Sequence, residues 1–238
     1  MKNLSKFWIC TLAILGVVIF LASSCAKKDD NSTNPTVTTI TDKDGNVYHS
    51  VTIGTQVWMV ENLKTTKYND GTAIPFIPDS IAWTNLTTPG YCWYKNDINN
   101  KSSYGALYNW FTVNTGKLAP TGWHIPTQDE WLTLITYVGG VFVAGGKLKE
   151  KDTIHWVSPN VGATDDYGFK ALGGGYRNAD TFYESAFYTE YRTSCCFWST
   201  SELSAKQVSD VELSAAQPIG SIYSMYKNWG ISVRCIKN

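Results

Sequence analysis

Aromatic rings are the feature that most constrains this chain. Its 238 residues include 10 Trp, 14 Tyr and 9 Phe, while only 17% of the chain is charged. Soluble domains average roughly 25% charged residues, so this composition excludes a mostly disordered protein. Basic and acidic residues balance at 20 each. This balance gives no electrostatic reason to expect a nucleic acid as a partner.

The N-terminus has the pattern of an export signal. Lys2 and Lys6 precede an uncharged, mostly apolar run over residues 7–21, and small residues follow it up to Cys25. A bilayer span needs ~20 apolar residues, and this run is shorter. We therefore predict that residues 1–24 are a signal peptide rather than a permanent membrane helix.

The residues around Cys25 predict attachment to a membrane by lipid. Residues 21–25, Leu-Ala-Ser-Ser-Cys, resemble a bacterial lipobox, whose cysteine receives a diacylglyceryl group. The alternative is an ordinary secreted protein in which Cys25 is incidental. Residues 26–30, Ala-Lys-Lys-Asp-Asp, resemble the Lys/Asp signal that exports lipoproteins of Bacteroidota to the outer face of the outer membrane, or are only a solvated charge cluster. We expect an outer membrane lipoprotein that faces the cell exterior, with the periplasmic face as the alternative.

The segment after Cys25 is polar and contains Pro35, so we predict that residues 25–39 form a flexible tether.

A single domain is predicted over residues 40–238. Its start favours a hairpin, with β-rich runs at 47–53 and 56–61 joined by Gly54-Thr55. The acidic stretch at 42–46 lacks the Gly and Glu positions of an EF-hand loop and predicts a turn.

Two helices are predicted with a short third. Apolar residues at i, i+3, i+4 and i+7 over 104–111 predict one helix that stops by Gly116. A T-x-x-E capping box at 127–130 predicts the start of another, which the glycine pair at 139–140 ends. Residues 141–150 add a short helical turn. The chain from Tyr167 onwards is rich in Gly, Tyr and Ser, with strands predicted at 197–203, 208–213 and 231–237. The predicted class is α+β, with two helices against irregular antiparallel sheets and a loop-rich C-terminal half.

Several motifs in this domain are shared, in order, with one known family. They are residues 51–63 (Val-Thr-Ile-Gly-Thr-Gln-Val-Trp-Met-Val-Glu-Asn-Leu), 91–94 (Tyr-Cys-Trp-Tyr), 104–110 (Tyr-Gly-Ala-Leu-Tyr-Asn-Trp), 122–127 (Gly-Trp-His-Ile-Pro-Thr), Glu130-Trp131, 166–169 (Asp-Tyr-Gly-Phe), 175–178 (Gly-Tyr-Arg-Asn), 197–201 (Phe-Trp-Ser-Thr-Ser) and 233–235 (Val-Arg-Cys). Together they resemble the Fibrobacter succinogenes major paralogous domain. The family is one of exported, often lipidated bacterial proteins of unassigned activity.

The resemblance implies a core similar to formylglycine-generating enzymes and C-type lectins. Residues 124–131 are similar to the "RLPTEAEW" segment of those enzymes, and the closing strand is similar to their "GFRC". The C-x4-C pair of the enzymes is absent, and so are the calcium-binding triplets of the lectins. We therefore expect neither that oxidase chemistry nor a calcium-dependent lectin site, and no cofactor, although a structural calcium ion remains open.

A disulfide between Cys92 and Cys235 is implied by the same resemblance, because both stand in family motifs whereas Cys195 and Cys196 do not. From the sequence alone, four cysteines that remain after export allow three connectivities.

No motif of a hydrolase, a phosphate-binding loop or a zinc protease occurs in the chain. His124 is expected to be a hydrogen-bonded structural residue, and the neighbouring acids at 129–130 and 165–166 suit turns and a helix start better than catalysis. We accordingly expect no enzyme activity.

The surplus of rings is the feature most open to function, because rings with a polar tip serve recognition surfaces. Five tryptophans within the family motifs are expected in the core, namely Trp58, Trp110, Trp123, Trp131 and Trp198. The rings in loop-like stretches are candidates for a ligand surface, namely Trp83, Trp93, Tyr183, Tyr188, Tyr191 and Trp229. The alternative is that they only pack long loops onto the core. Three hypotheses follow: a non-catalytic binding or adhesion domain for a glycan or surface protein, a structural subunit of an envelope complex, and, ranked last, a polysaccharide hydrolase.

Overall fold

The computed structural model describes residues 39–179 and 187–238. The predicted signal peptide, Cys25, nearly all of the tether and Tyr183 lie outside the described residues. The described α-helices are Ser80–Thr84 (α1), Lys101–Tyr104 (α2), Trp110–Val113 (α3), Gln128–Tyr137 (α4) and Val141–Leu148 (α5). The described strands are Ile40–Thr41 (β1), Val47–Tyr48 (β2), Ser50–Ile53 (β3), Gln56–Met59 (β4), Tyr91–Cys92 (β5), Leu107–Tyr108 (β6), Trp123–His124 (β7), Tyr176–Arg177 (β8), Tyr188–Thr189 (β9), Ser194–Glu202 (β10), Gln207–Ser214 (β11), Gly220–Tyr226 (β12) and Ile236–Lys237 (β13). The predicted α+β class is confirmed.

The predicted N-terminal hairpin is confirmed. Strands β3 and β4 pair antiparallel, with Ile53 opposite Gln56 across the Gly54-Thr55 turn. Gly54 has φ of +62°, a conformation that favours glycine. Residues 42–46 form a turn, as predicted, because the Asp42 carboxylate accepts the Asp44 and Asn46 N–H groups at 2.9 Å.

The single helix predicted over 104–111 is wrong. Gly105 has φ of 75° and ψ of −162°, which ends α2 at Tyr104. Leu107 and Tyr108 then extend and pair with Cys92 and Tyr91. Asn109 caps α3 by accepting the Thr112 N–H, so the helical spacing of the apolar residues arises from three short elements.

The second predicted helix is confirmed as α4. Thr127 Oγ1 accepts the Glu130 N–H at 3.2 Å, and the Glu130 carboxylate accepts the Thr127 N–H at 2.8 Å, which closes the capping box. His124 is hydrogen-bonded from both ring nitrogens, to Glu130 and Asn238, each at 2.8 Å. The short helix predicted at 141–150 corresponds to α5.

The sheet of β10, β11 and β12 separates two parts of the core. Its strands run antiparallel in that order. One face carries Cys195, Phe197, Val211 and Leu213, which pack with residues of α4 and α5. The other face carries side chains that pack with Tyr108 and Trp110, namely Cys196, Trp198, Val208 and Met225. Both faces of this sheet are therefore covered.

The C-terminal segment runs through the middle of the described core rather than along its surface. The strand predicted at 231–237 is regular only at β13, and residues 230–236 are all buried. Arg234 is fully buried and donates to Asn62 Oδ1 at 2.7 Å and to the Phe169 carbonyl at 2.6 Å, with its guanidinium 4.5 Å from the Phe169 ring centroid. Neutral acceptors and an aromatic ring thus hold this charge inside.

The expected disulfide between Cys92 and Cys235 is wrong for this structure. All four described cysteines are free and buried. Cys92 packs in a small cluster with Trp83 and Leu107, whereas Cys235 packs in the main cluster with Met59. The two thiols therefore belong to different parts of the core.

In the described part of the chain no single helix is long and apolar enough to cross a membrane, while α4 and α5 meet the length and composition of a span only as a pair bent by 87°.

Candidate ligand-binding surface

Two of the predicted surface rings are core residues. Trp83 is fully buried in α1, where the Arg177 guanidinium lies 4.5 Å above its ring centroid. Trp93 is buried against the main cluster. The loop-like sequence around Trp83 conceals its burial because Asp79 caps a helix of only five residues. Of the five motif tryptophans expected in the core, four are buried, and Trp123 is half-buried against it.

Two other predicted rings, Tyr188 and Tyr191, come together around Tyr94. The Tyr191 ring is stacked on Tyr94, with centroids 5.0 Å apart and an interplanar angle of 25°. The ring centroids of Tyr188 and Tyr94 are 5.2 Å apart. The rings of Tyr104 and Tyr191 meet edge to face, with their centroids 5.3 Å apart. We call Tyr94, Tyr104, Tyr188 and Tyr191 the tyrosine surface. Tyr191 is its most open member, with 41% of the residue exposed.

Three consecutive glycines allow this surface to form. A Cβ at Gly173 would lie 2.9 Å from Arg192 Cα, and one at Gly175 would lie 2.9 Å from the Tyr94 ring and collide with the Thr189 carbonyl. Gly175 also has φ of +61°. The segment at 173–175 therefore lets the chain around Tyr191 approach closely enough for its ring to reach Tyr94.

Unusual backbone conformations flank the same tyrosines. Among the described residues, seven that are not glycine have positive φ. Four of these neighbour Tyr94 or Tyr191 in the chain, namely Lys95, Asn96, Glu190 and Arg192. Such conformations cost about 1–3 kcal/mol each and concentrate at functional sites. More than half of these described residues therefore flank the stacked pair.

Polar groups fix the rim of the tyrosine surface. The Tyr188 hydroxyl donates to Asn96 Oδ1 at 2.7 Å, and Arg192 donates to the Trp156 carbonyl at 3.1 Å. Burial raises the pKa of Tyr94 to about 12 and also raises the pKa values of Tyr104 and Tyr188. These hydroxyls thus stay neutral at physiological pH and can both donate and accept hydrogen bonds.

A histidine and a carboxylate stand beside the tyrosines. His155 Nδ1 lies 2.8 Å from Glu150 Oε2, and the His155 ring contacts Tyr104 edge-on at 5.5 Å. Within residues 39–179 and 187–238, no group of three or more His, Cys, Asp or Glu is placed to hold a metal ion. The chemistry that these side chains offer is ring stacking with hydrogen bonding at the rim.

The last predicted ring belongs to another place. Trp229 is half-buried and stacks on Tyr176, with centroids 5.2 Å apart and an angle of 14°. Tyr94 and Tyr104 are not among the candidate surface rings predicted from the sequence. Tyr94 lies within a family motif, and Tyr104 fits the apolar spacing that predicts a helix over 104–111. The sequence signal that could have located the surface is the glycine triplet at 173–175.

A separate surface groove of about 560 Å³ lies near α1. Its lining includes Leu86, Phe111 and Tyr226, with Lys206 and Lys227 at the polar side. The Lys227 ammonium group already has two partners, because its Nζ lies 4.5 Å from the Trp110 ring centroid and 3.1 Å from Glu202 Oε1. None of the predicted surface aromatics that the structure describes lines this groove, and the groove shares no lining residue with the tyrosine surface.

The fold and the surface define an α+β domain in which Tyr191 stacks on Tyr94 beside the glycine segment at 173–175. The chain belongs to the Fibrobacter succinogenes major domain family, whose model matches residues 51–237 and confirms the resemblance. No curated protein and no solved structure matches the chain significantly.

Proposed function

We propose that this protein is an exported, lipid-anchored protein of the cell surface whose domain over residues 40–238 binds a glycan without catalysis. In this proposal Cys25 carries the lipid, residues 25–39 form the tether, and the outer membrane is the location. The periplasmic face remains the alternative side. The domain is proposed to share the C-type lectin-like core, which the order of the family motifs supports.

The observation that carries the binding function is the placement of Tyr191. Its ring is held by stacking on Tyr94 and by the edge of Tyr104, yet much of it stays exposed. A ring held in place before binding loses little conformational entropy when a ligand stacks on it. Flat rings with polar rims suit sugars, which present apolar C–H faces between hydroxyl groups.

The test compares variants of the full chain for retention on polysaccharides and host glycoproteins. Tyr191→Ala and Tyr188→Ala should each weaken retention about tenfold, the usual loss when a well-placed aromatic residue is truncated at an interface. The matched control is Tyr137→Ala, since Tyr137 is 57% exposed and lies at the end of α4, outside the tyrosine surface. Equal losses in the control and the surface variants would contradict the proposal.

The same assay separates binding from hydrolysis. Products should be measured beside retention, with and without calcium. Retention without products supports the binding domain. Release of products that depends on Glu150 or His155 would contradict the binding function and indicate an enzyme. These two residues are the candidates because their hydrogen-bonded pair lies beside Tyr104.

A structural role in an envelope assembly is the second candidate, and an apolar corner favours it. Phe142 is 76% exposed at the start of α5, beside Val141 and Val143, and Tyr137 is exposed at the end of α4. Exposed apolar patches mark protein interfaces. Loss of envelope partners from a Phe142→Ser pull-down, with glycan retention absent in the native protein, would favour this candidate.

The lipid anchor has its own test. Labelled fatty acid should be incorporated into the native chain and not into a Cys25→Ser variant. Protease applied to intact cells should degrade the anchored protein if it faces the exterior. Survival in intact cells, with degradation after the outer membrane is opened, would place it on the periplasmic face.

A further inference from the structure

The surface groove near α1, which we call the lysine groove, has the size of a ligand site. Its volume is about 560 Å³. Small-molecule sites in proteins span roughly 300–1,000 Å³. Five segments of the chain line the groove: the end of α1, one residue of α3, the end of the segment after β8, the β10–β11 turn and the end of β12. They contribute residues 84–87, 111, 179, 205–206 and 226–228.

Hydrogen bonds hold these segments together. The Asn228 side chain donates from Nδ2 to the Thr84 carbonyl at 2.9 Å and to the Ala179 carbonyl at 3.4 Å. The Lys227 N–H donates to the Lys206 carbonyl at 3.0 Å, which joins the end of β12 to the β10–β11 turn. The walls of the lysine groove are therefore fixed to one another. A site that is formed in advance loses little free energy in ordering its own groups when a ligand binds.

Lys206 gives the groove a positive charge that no described side chain neutralises. It is exposed, and within residues 39–179 and 187–238 its ammonium group forms no ion pair and no hydrogen bond. Lys227, the other lysine of the lining, is paired with Glu202 at 3.1 Å. The lining itself contains no Asp or Glu. Charge complementarity therefore favours a ligand with a negative group.

Two aromatic rings line the same groove. Tyr226, at the end of β12, is 47% exposed, and Phe111 of α3 is partly exposed. The Trp110 N–H donates to the Lys227 carbonyl at 2.9 Å, which holds the start of α3 against the end of β12. An anion that also presents an apolar face can thus contact a ring and a lysine in one site. Sugar acids have this combination, because their rings present C–H faces beside a carboxylate.

The free hydrogen-bonding groups of the lining are on side chains. Asn85 donates from Nδ2 to the Ile81 carbonyl at 3.1 Å, and Asn228 donates from Nδ2 to the Thr84 carbonyl. Each amide oxygen is left as an acceptor for a hydroxyl group. The carbonyls of Thr84 and Ala179 already accept the Asn228 amide. Extended peptides bind largely through backbone groups, so this lining suits a sugar better than a peptide.

We propose that the lysine groove is a second binding site, whose ligand is an oligosaccharide that contains uronic acid. The sugar carboxylate pairs with the Lys206 ammonium group, a ring of the sugar packs on Tyr226 or Phe111, and hydroxyl groups donate to the two asparagine amides. This site goes beyond the proposed function, because it shares no lining residue with the tyrosine surface.

The experiment is calorimetric titration of the purified full chain at about pH 7, where the sugar carboxylates and Lys206 are all charged. The probes are trimers of galacturonic, glucuronic and mannuronic acid, each compared with its methyl ester. The ester keeps the sugar and removes the charge. We expect at least one acid to bind about three- to tenfold tighter than its ester, a moderate factor because Lys206 is exposed. The preference should shrink between about 50 and 500 mM salt.

The variants assign the binding to the groove. Lys206→Gln should remove the preference for the acid and leave binding of the ester unchanged. Tyr226→Ala should weaken acid and ester alike, by about tenfold, because it removes a ring that both contact. The matched control is Lys237→Gln, at the exposed end of β13 and outside the lining, which should bind as the native chain does. Lys206 is exposed, so Lys206→Gln should keep the native melting temperature.

Failure of this inference can be distinguished from failure of the proposed function. Tyr191→Ala should bind the acid trimers as the native chain does. If it loses them, sugar acids bind at the tyrosine surface, which would overturn the groove site and support the proposed function.

Three further outcomes would overturn the inference. The first is equal binding of every acid and its ester, or no binding of any trimer. The second is a preference for the acid that survives in Lys206→Gln. The third is binding of inorganic phosphate or an oligoglutamate peptide in place of the trimers, which would overturn the assignment to sugars.

Discussion

Tyr191 stacks on Tyr94 because the backbone of Gly175 lies between the chain segments that carry the two rings. A Cβ at Gly175 would lie 2.9 Å from the Tyr94 ring and 3.0 Å from the Tyr191 nitrogen. The absence of a side chain at this one position therefore sets the distance between the rings.

The first prediction concerns Gly175. Gly175→Ala should lower the free energy of unfolding by several kcal/mol, because the new methyl group collides with the Thr189 carbonyl and the Tyr94 ring. Its matched control is Gly116→Ala, which has a similar φ of +67° and nothing within 4 Å of the added Cβ. The control should lose only about 1–2 kcal/mol, the penalty of the left-handed conformation. Urea unfolding of both variants measures the difference, and equal losses would show that the close approach at Gly175 does not matter.

The second prediction concerns Lys149. Its buried ammonium donates to three backbone carbonyls, those of Val161, Ser214 and Gln217, at 3.0, 2.6 and 3.2 Å. Lys149→Met should destabilise the chain by about 2–4 kcal/mol, since it leaves buried acceptors without donors. Lys147→Met, two residues earlier in α5, is the control and should change the melting temperature little. A neutral effect of Lys149→Met would mean that water replaces the ammonium group.

The third prediction concerns the cysteines. Burial raises the pKa values of Cys195 and Cys235 to about 12, and it also raises those of Cys92 and Cys196. Because the thiolate is the reactive form, none of the four should react with a thiol reagent at neutral pH in the folded chain. All four should react in urea, as located by peptide mapping. The melting temperature should be the same with and without reductant. A lower melting temperature in reductant would show that the folded chain contains a disulfide.

The fourth prediction concerns pH. Asp210 has a pKa of about 8 in the folded chain against 3.8 ordinarily, so the folded state holds its proton more tightly. Its contribution to stability is therefore complete below pH 3.8 and is lost as the pH rises through about 8. Asp210→Asn should gain several kcal/mol relative to the native chain between acidic pH and pH 8. Unfolding curves across this range test the sign. For the control variant Asp166→Asn, at an exposed position, the free energy of unfolding should change with pH in parallel with that of the native chain.

Local sequence rules located the elements whose causes are local. The Gly54 turn, the Thr127 capping box and the Asp42 turn each depend on residues within a few positions of one another. The helix predicted at 104–111 failed because Gly105 adopts a conformation outside the helical region. Spacing alone cannot distinguish one helix from three short elements whose apolar residues point the same way.

The candidate site could be predicted only in part, because long-range contacts create it. Tyr188 and Tyr191 are predicted as candidate surface rings because they lie in loop-like stretches of the sequence. Their partner Tyr94 lies far away in the chain, and only the folded structure brings it beneath them. Trp83 was assigned to the surface because nothing local reveals that Arg177 covers its ring. Burial of an aromatic residue depends on such distant partners.

Glycan binding by the tyrosine surface can be followed on its own rings. Full chain with isotopically labelled tyrosine rings would be titrated, in an NMR experiment, with a glycan that it retains. If the tyrosine surface binds the glycan, the signals of Tyr94, Tyr188 and Tyr191 should shift with a common dissociation constant, while those of the exposed Tyr137 remain in place. Shifts confined to Tyr137, or to rings outside the tyrosine surface, would contradict it.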